Sequence, residues 1–182
     1  TPEAHSVKTG RTMQEIAEGA KAKPLPDKRP QRSRKRPAFR KPQLATLVAE
    51  APEGENWLHE TKFDGYRCLA ALGKGGTRLF TRSGKDWTDK FAPLAEAFGT
   101  LPCDAALIDG EVMAAKINGS AFSSLQKALK NGDPLVYFAF DLLSIDGEDL
   151  TKEPQLKRRE RLTKLLSGLP QDGPLRGTDA HQ

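Results

Sequence analysis

Five short apolar runs succeed one another along this chain, without a helix regularly alternating with each. They cover Trp57 to Lys62, Tyr66 to Leu72, Thr77 to Arg82, Ala105 to Ile108 and Leu135 to Asp141. Gly73-Lys74-Gly75-Gly76 joins the second run to the third and suits a hairpin turn. It links strand to strand with no helix after it, which argues against a phosphate-cradling loop. Helical spacing recurs in Phe91, Leu94, Ala95 and Phe98, and again in Phe122, Leu125 and Leu129, with Ser120-Ala121-Phe122-Ser123 as a start. A third stripe, Leu162, Leu165, Leu166 and Leu169, follows Pro154; its outer face carries Lys157, Arg158, Arg159 and Arg161, a pattern expected to be solvated. Strands and helices mixed without βαβ alternation predict an α+β fold.

Polar groups close these runs. Glu60-Thr61-Lys62-Phe63-Asp64-Gly65-Tyr66-Arg67 sets an amine, a carboxylate, a glycine turn and a guanidinium side by side. A free lysine titrates at about 10.4 and is a nucleophile only without its proton. Burial and a nearby cation both disfavour the ammonium. The flanking strand offers the first and Arg67 the second, an arrangement that suits covalent catalysis. A hairpin with Asp64-Gly65 as its turn and Lys62 and Arg67 as solvated ends explains the same string. Thr81-Arg82-Ser83-Gly84, Asp109-Gly110-Glu111 and Phe138-Ala139-Phe140-Asp141-Leu142-Leu143 are the other three strings. Each reads alone as a turn or a core strand. Read together, they put charged and aromatic groups at strand ends that converge on one cleft.

In this order the four strings resemble the covalent nucleotidyltransferase superfamily of DNA ligases, RNA ligases and capping enzymes. The nearer resemblance is to the ATP-dependent DNA ligase module of bacterial ligase D, a multidomain end-joining enzyme. Pro42-Gln43-Leu44-Ala45-Thr46-Leu47, Trp57-Leu58-His59-Glu60 and Ser6-Val7-Lys8-Thr9-Gly10-Arg11-Thr12-Met13 carry that nearer likeness. The resemblance implies that Lys62 attacks the α-phosphate of ATP and carries AMP. It implies nucleotide contacts from Glu60, Thr61, Lys62, Arg67, Arg82, Glu111 and Phe140: Glu60 to the adenine amino group, Arg67 and Arg82 to phosphate and ribose oxygens, Glu111 to a ribose hydroxyl, Phe140 stacked on the base. Asp64 and Gly65 shape the loop. Magnesium is expected on the phosphates, with no protein ligand assigned, and the partner is nicked or broken duplex DNA.

The family pattern continues with a Glu-Gly-hydrophobic motif, a Lys-x-Lys motif and an OB-fold domain. None of these follows Leu143 in the sequence. The expectation is therefore part of an adenylation domain, with antiparallel sheets flanked by helices and the OB-fold absent. The alternative is a catalytically incomplete remnant that only binds nucleotide or DNA; a capping-type guanylyltransferase is a third reading.

Residues 1–20 read as a connector remnant with a helix over Thr12 to Ala20, and 43–182 as the adenylation part. Between them the charge is concentrated. Lys21 to Lys41 holds ten Lys and Arg against Asp27, a net of +9 in a chain of net +5, so the remainder carries −4. Pro24, Pro26, Pro30 and Pro37 block helix and strand there. Residues 21–42 are thus expected to form a disordered basic linker whose Arg29, Arg32, Arg34, Lys35, Arg36, Arg40 and Lys41 touch DNA phosphates. His5, His59 and His181 show no zinc spacing, and Cys68 falls in an apolar run that suits a reduced core thiol. The N-terminus lacks the apolar core of a secretory signal. A cytoplasmic, nucleoid-associated protein is expected.

Overall fold

The computed structural model describes residues 32–54, 57–178 and 180–181. The expected connector, its helix and Arg29 lie outside the described residues. The strands are β1 (His59–Glu60), β2 (Tyr66–Gly73), β3 (Gly76–Thr81), β4 (Ala106–Ala114), β5 (Leu135–Ile145), β6 (Glu148–Asp149), β7 (Leu175–Gly177) and β8 (Ala180–His181). The helices are α1 (Ala92–Ala97), α2 (Ala121–Asn131) and α3 (Gln155–Leu166). The fold is α+β.

Six strands form one sheet in the order β3-β2-β4-β5-β6, with β7 parallel to β5. The other pairings in it are antiparallel. The resemblance implies a second sheet; among the described residues this is the two-stranded β1–β8 ribbon, where Glu60 faces Ala180.

Side chains alternate across the strands, and both faces of β2 are buried. Cys68, Ala70 and Leu72 join Ile108, Tyr137 and Leu142 on the face covered by the helices, which contribute Leu94, Leu125 and Leu162. The Tyr137 hydroxyl is satisfied there by donating to the Cys68 carbonyl at 2.7 Å and the Ile108 carbonyl at 3.1 Å. The free thiols Cys68 and Cys103 are buried. The α2 start is capped by Ser120, whose hydroxyl accepts from the Ser123 amide.

The opposite face holds Leu69, Ala71 and Leu107, with Phe39, Phe80 and Leu143 packed on them. Residues 32–42 run across it as an extended strap, which corrects the expected disorder over that stretch. The Arg34 carbonyl accepts from the Lys74 amide at 2.7 Å. Arg36 passes so close to Gly73 that a Cβ there would lie 2.4 Å from the Arg36 Cα, so only glycine fits. Phe39 packs on Phe80 with ring centroids 5.8 Å apart, and Pro42 is buried. Prolines exclude helix and ladder but allow an extended chain, and one aromatic plus guanidinium donors suffice to fasten it.

Two strands differ from expectation in a way that matters for the site. Strands β4 and β5 continue past Asp109 and Asp141, so these acids sit mid-strand and not at strand ends. Register shifts fall between Leu107 and Ile108 and between Asp109 and Gly110. Conversely, the first expected strand shrinks to His59–Glu60 and leaves Lys62 on a loop.

Candidate active site

A cleft of about 1060 Å³ opens beside the β1–β2 loop. Glu60, Thr61, Lys62, Asp64, Gly65, Arg67, Arg82, Glu111 and Phe140 all line it. The four sequence strings, up to 80 residues apart, thus converge on one wall. A second hollow of about 600 Å³ lies between the strap and the far sheet face and contains none of them.

The loop is held by its glycine. The Gly65 amide donates to Glu111 Oε1 at 2.8 Å. A Cβ on Gly65 would stand 2.2 Å from the Val112 carbonyl oxygen, so β4 admits only glycine at this approach. Phe63 stacks on Phe138, centroids 4.5 Å apart and planes 16° from parallel. Just before these two anchors, Lys62 is exposed to the cleft.

Arg67 points inward. Its Nε and Nη2 each donate to the Asp109 carboxylate at 2.8 Å, and Nη2 also reaches the Gln43 carbonyl at 3.3 Å. The guanidinium carbon lies 4.8 Å from the Phe140 ring centroid. Hydrogen bonding to Asp109 pushes Arg67 up, so it stays charged. Burial pushes the Asp109 carboxyl up, with the Arg67 fork working against it. Glu111 is likewise raised by burial, opposed by the Gly65 amide. The sequence reading gives Lys62 burial and an Arg67 cation as neighbours. The structure instead exposes Lys62 and matches the Arg67 charge with Asp109.

Several cleft residues escape a motif-by-motif reading. Asp141 and Arg158 form a two-pronged pair at 2.8 and 2.9 Å. Gln155, Tyr66, Trp87 and Thr178 also line the cleft. Tyr66 packs edge-on against Trp87 and Phe122, each 5.5 Å away. Arg158 and Arg159 turn inward, against the expected solvated face of α3; only their carboxylate partners, far off in sequence, could have signalled this.

The strap cations stand elsewhere. Arg32 donates to the Cys103, Phe98 and Leu101 carbonyls at 3.1, 2.9 and 3.3 Å. Arg36 donates to the Gly76 and Lys74 carbonyls. Arg34 lies 4.0 Å from Asp104, and Arg40 pairs with Asp149 at 3.0 Å. Lys35 and Lys41 are exposed.

The model of a family described as ATP dependent DNA ligase domain matches residues 41–176. The chain belongs to that family. It is 39% identical over 143 residues to the multifunctional non-homologous end joining protein LigD of Pseudomonas aeruginosa, covering 77% of this chain and 17% of that protein. The bifunctional LigD of Bacillus subtilis is 31% identical over 138 residues, covering 66% of this chain and 23% of that protein. The ligase domain of M. tuberculosis LigD superposes with a TM-score of 0.53 at 29% identity, covering 66% of this chain and 38% of that domain. A mycobacterial DNA ligase D solved with ATP and MES gives 0.53 at 28% identity, covering 68% of this chain and 39% of that one. The chain therefore corresponds to part of a ligase adenylation domain. The matched span contains every cleft residue described above except Thr178.

Proposed function

We propose that this chain is the portion of an ATP-dependent DNA ligase that receives AMP on Lys62 during DNA strand joining in repair. The observation that carries the reading is the convergence of all four strings on one cleft, with Lys62 on a loop anchored by the two residues Phe63 and Gly65 that follow it. In the step proposed, the Lys62 ammonium loses a proton. Its nitrogen bonds to the α-phosphorus of ATP, the bond from that phosphorus to the bridging oxygen breaks, and pyrophosphate leaves with the electron pair. Phe140 stacks on the base and Glu60 accepts from its amino group. Glu111 bonds a ribose hydroxyl through the oxygen not given to Gly65. Arg82 and the Nη1 donors of Arg67 take phosphate oxygens, which suits the fixed guanidinium fork.

Among the described residues no three His, Cys, Asp or Glu cluster to hold a metal ion. Of the four carboxylates lining the cleft, Glu60 and Asp141 are paired with Arg159 and Arg158, which leaves Asp64 and Glu111 singly. That donor set fits magnesium held mainly by phosphates and water, where it would offset phosphate charge. The DNA partner would be met in the cytoplasm, on the nucleoid, by a protein with upstream end-joining domains.

The test is incubation of the 182-residue chain with radiolabelled ATP and magnesium, beside Lys62→Ala. We expect label with the signature of a phosphorus–nitrogen bond, stable to alkali and released by acid, and a mass increase of one AMP residue, on the wild type alone. Equal labelling of both proteins refutes the assignment of Lys62. ATP binding without label on either favours the incomplete-remnant reading.

A further inference from the structure

The carboxylate assigned to the base, Glu60, sits on a two-residue strand paired only with β8 among the described residues. So short a ladder does little to aim a side chain. The aiming comes from α3. Arg159 donates through Nη1 to Glu60 Oε1, and through Nη2 to the Thr178 carbonyl and, at 3.1 Å, its hydroxyl. Gln155, one helical turn earlier and so on the same face, donates its side-chain amide to the same Oε1 at 3.3 Å. The Arg159 side chain is 13% exposed and that of Glu60 28%. Among the described residues both donors fall on Oε1. Oε2 keeps its accepting capacity.

We propose that Arg159 and Gln155 are positioning residues that hold Glu60 by Oε1, so that Oε2 faces the exocyclic group of the bound purine and selects adenine over guanine. The inference rests on the reading of Glu60 given above and deepens it. Adenine presents an amino donor at that position and guanine a carbonyl acceptor. A carboxylate free to swing into water would tolerate either. A carboxylate clamped in place meets the guanine oxygen with no proton between them, and the unpaired polar groups penalise guanine. Arginine suits the clamp because its planar fork spans Glu60 and Thr178 at once, whereas a lysine ammonium is a single point charge.

Calorimetric ATP and GTP dissociation constants for the full 182-residue chain test this, with wild type, Arg159→Met, Arg159→Lys and Gln155→Leu, each checked for folding by circular dichroism. We expect a wild-type preference for ATP that falls about tenfold in Arg159→Met, the factor for one hydrogen bond to a charged group. Arg159→Lys should retain part of it, and Gln155→Leu should lose less, in the same direction. A preference unchanged in Arg159→Met, or ATP bound more tightly by it, overturns the inference. Should Arg159→Met not fold, an unchanged preference in Gln155→Leu, which alters an exposed residue, overturns it equally. A wild type with no preference removes the reading of Glu60 and the inference together. A wild-type preference that survives the substitutions removes the inference alone.

Discussion

On the strap, Arg32 and Arg36 donate to backbone carbonyls; in the cleft, Arg67 and Arg158 grip Asp109 and Asp141 in two-pronged pairs. The same side chain does different electrostatic work in the two places. A carbonyl satisfies the donors and leaves the positive charge standing. A carboxylate satisfies them and cancels it. Titration directions follow: burial and the neighbouring Arg78 push Arg36 down, whereas bonds to their aspartates push Arg67 and Arg158 up. Arg32 and Arg36 therefore fasten the strap and keep their charge, whereas Arg34 and Arg40 face Asp104 and Asp149. The cleft keeps its net attraction for phosphate in Lys62 and Arg82, which are exposed.

The largest break in this comparison should come from the cleft. Asp109 is 3% exposed, and Arg67→Met leaves it buried without its partner. We expect a loss of about 3–5 kcal/mol, seen as a fall in Tm of roughly 10 °C. Arg67→Met combined with Asp109→Leu should recover much of it, because the cost lies in the stranded charge more than in the lost attraction. A double variant no more stable than the single would show that the pair is held for packing.

Arg32→Met is the matching test on the strap. It removes three hydrogen bonds to neutral carbonyls that are only partly buried, so we expect about 1–2 kcal/mol in chemical denaturation. A loss as large as that of Arg67→Met would mean that fastening the strap, and not charge compensation, dominates stability.

These pairs also mark where the sequence stops being legible. The β2–β3 hairpin follows from Gly73 to Gly76, the α2 start from Ser120, and the α3 start from Pro154. All are local signals, and all lie within a residue or two of the observed boundary. The cleft was legible because its strings are local too. The mid-strand position of Asp109 and Asp141 was not, since an acid after an apolar run looks like a strand end. It stays in the ladder because Arg67 lies 42 residues before Asp109 and Arg158 lies 17 after Asp141. The strap failed for the same reason: Arg32 finds its carbonyls 66 to 71 residues away, and composition alone records only prolines and cations.

If the strap stays basic, its exposed Lys35 and Lys41 should contribute to polyanion binding through counterion release. The double variant Lys35→Ala/Lys41→Ala should flatten the log–log salt slope for duplex DNA by roughly 1–2, with base sequence indifferent. An unchanged slope would move the DNA contact off this stretch.

The smallest effect sits where the strap reaches a carboxylate on β6. Asp149 is held down to about 2, first by the Thr151 amide, then by the Thr151 hydroxyl, then by Arg40. A carboxyl depressed on folding adds stability above its unfolded value of 3.8, and that contribution is lost as pH falls from there towards about 2. The group is fully exposed, so water and salt screen the Arg40 contribution most. Carboxyl-detected NMR titration should therefore show a larger upward shift in Thr151→Val than in Arg40→Ala, and added salt should erase only the second. A larger shift in Arg40→Ala would mean that charge, more than the Thr151 cap, couples the strap to β6, and that at this point the strap behaves like the cleft.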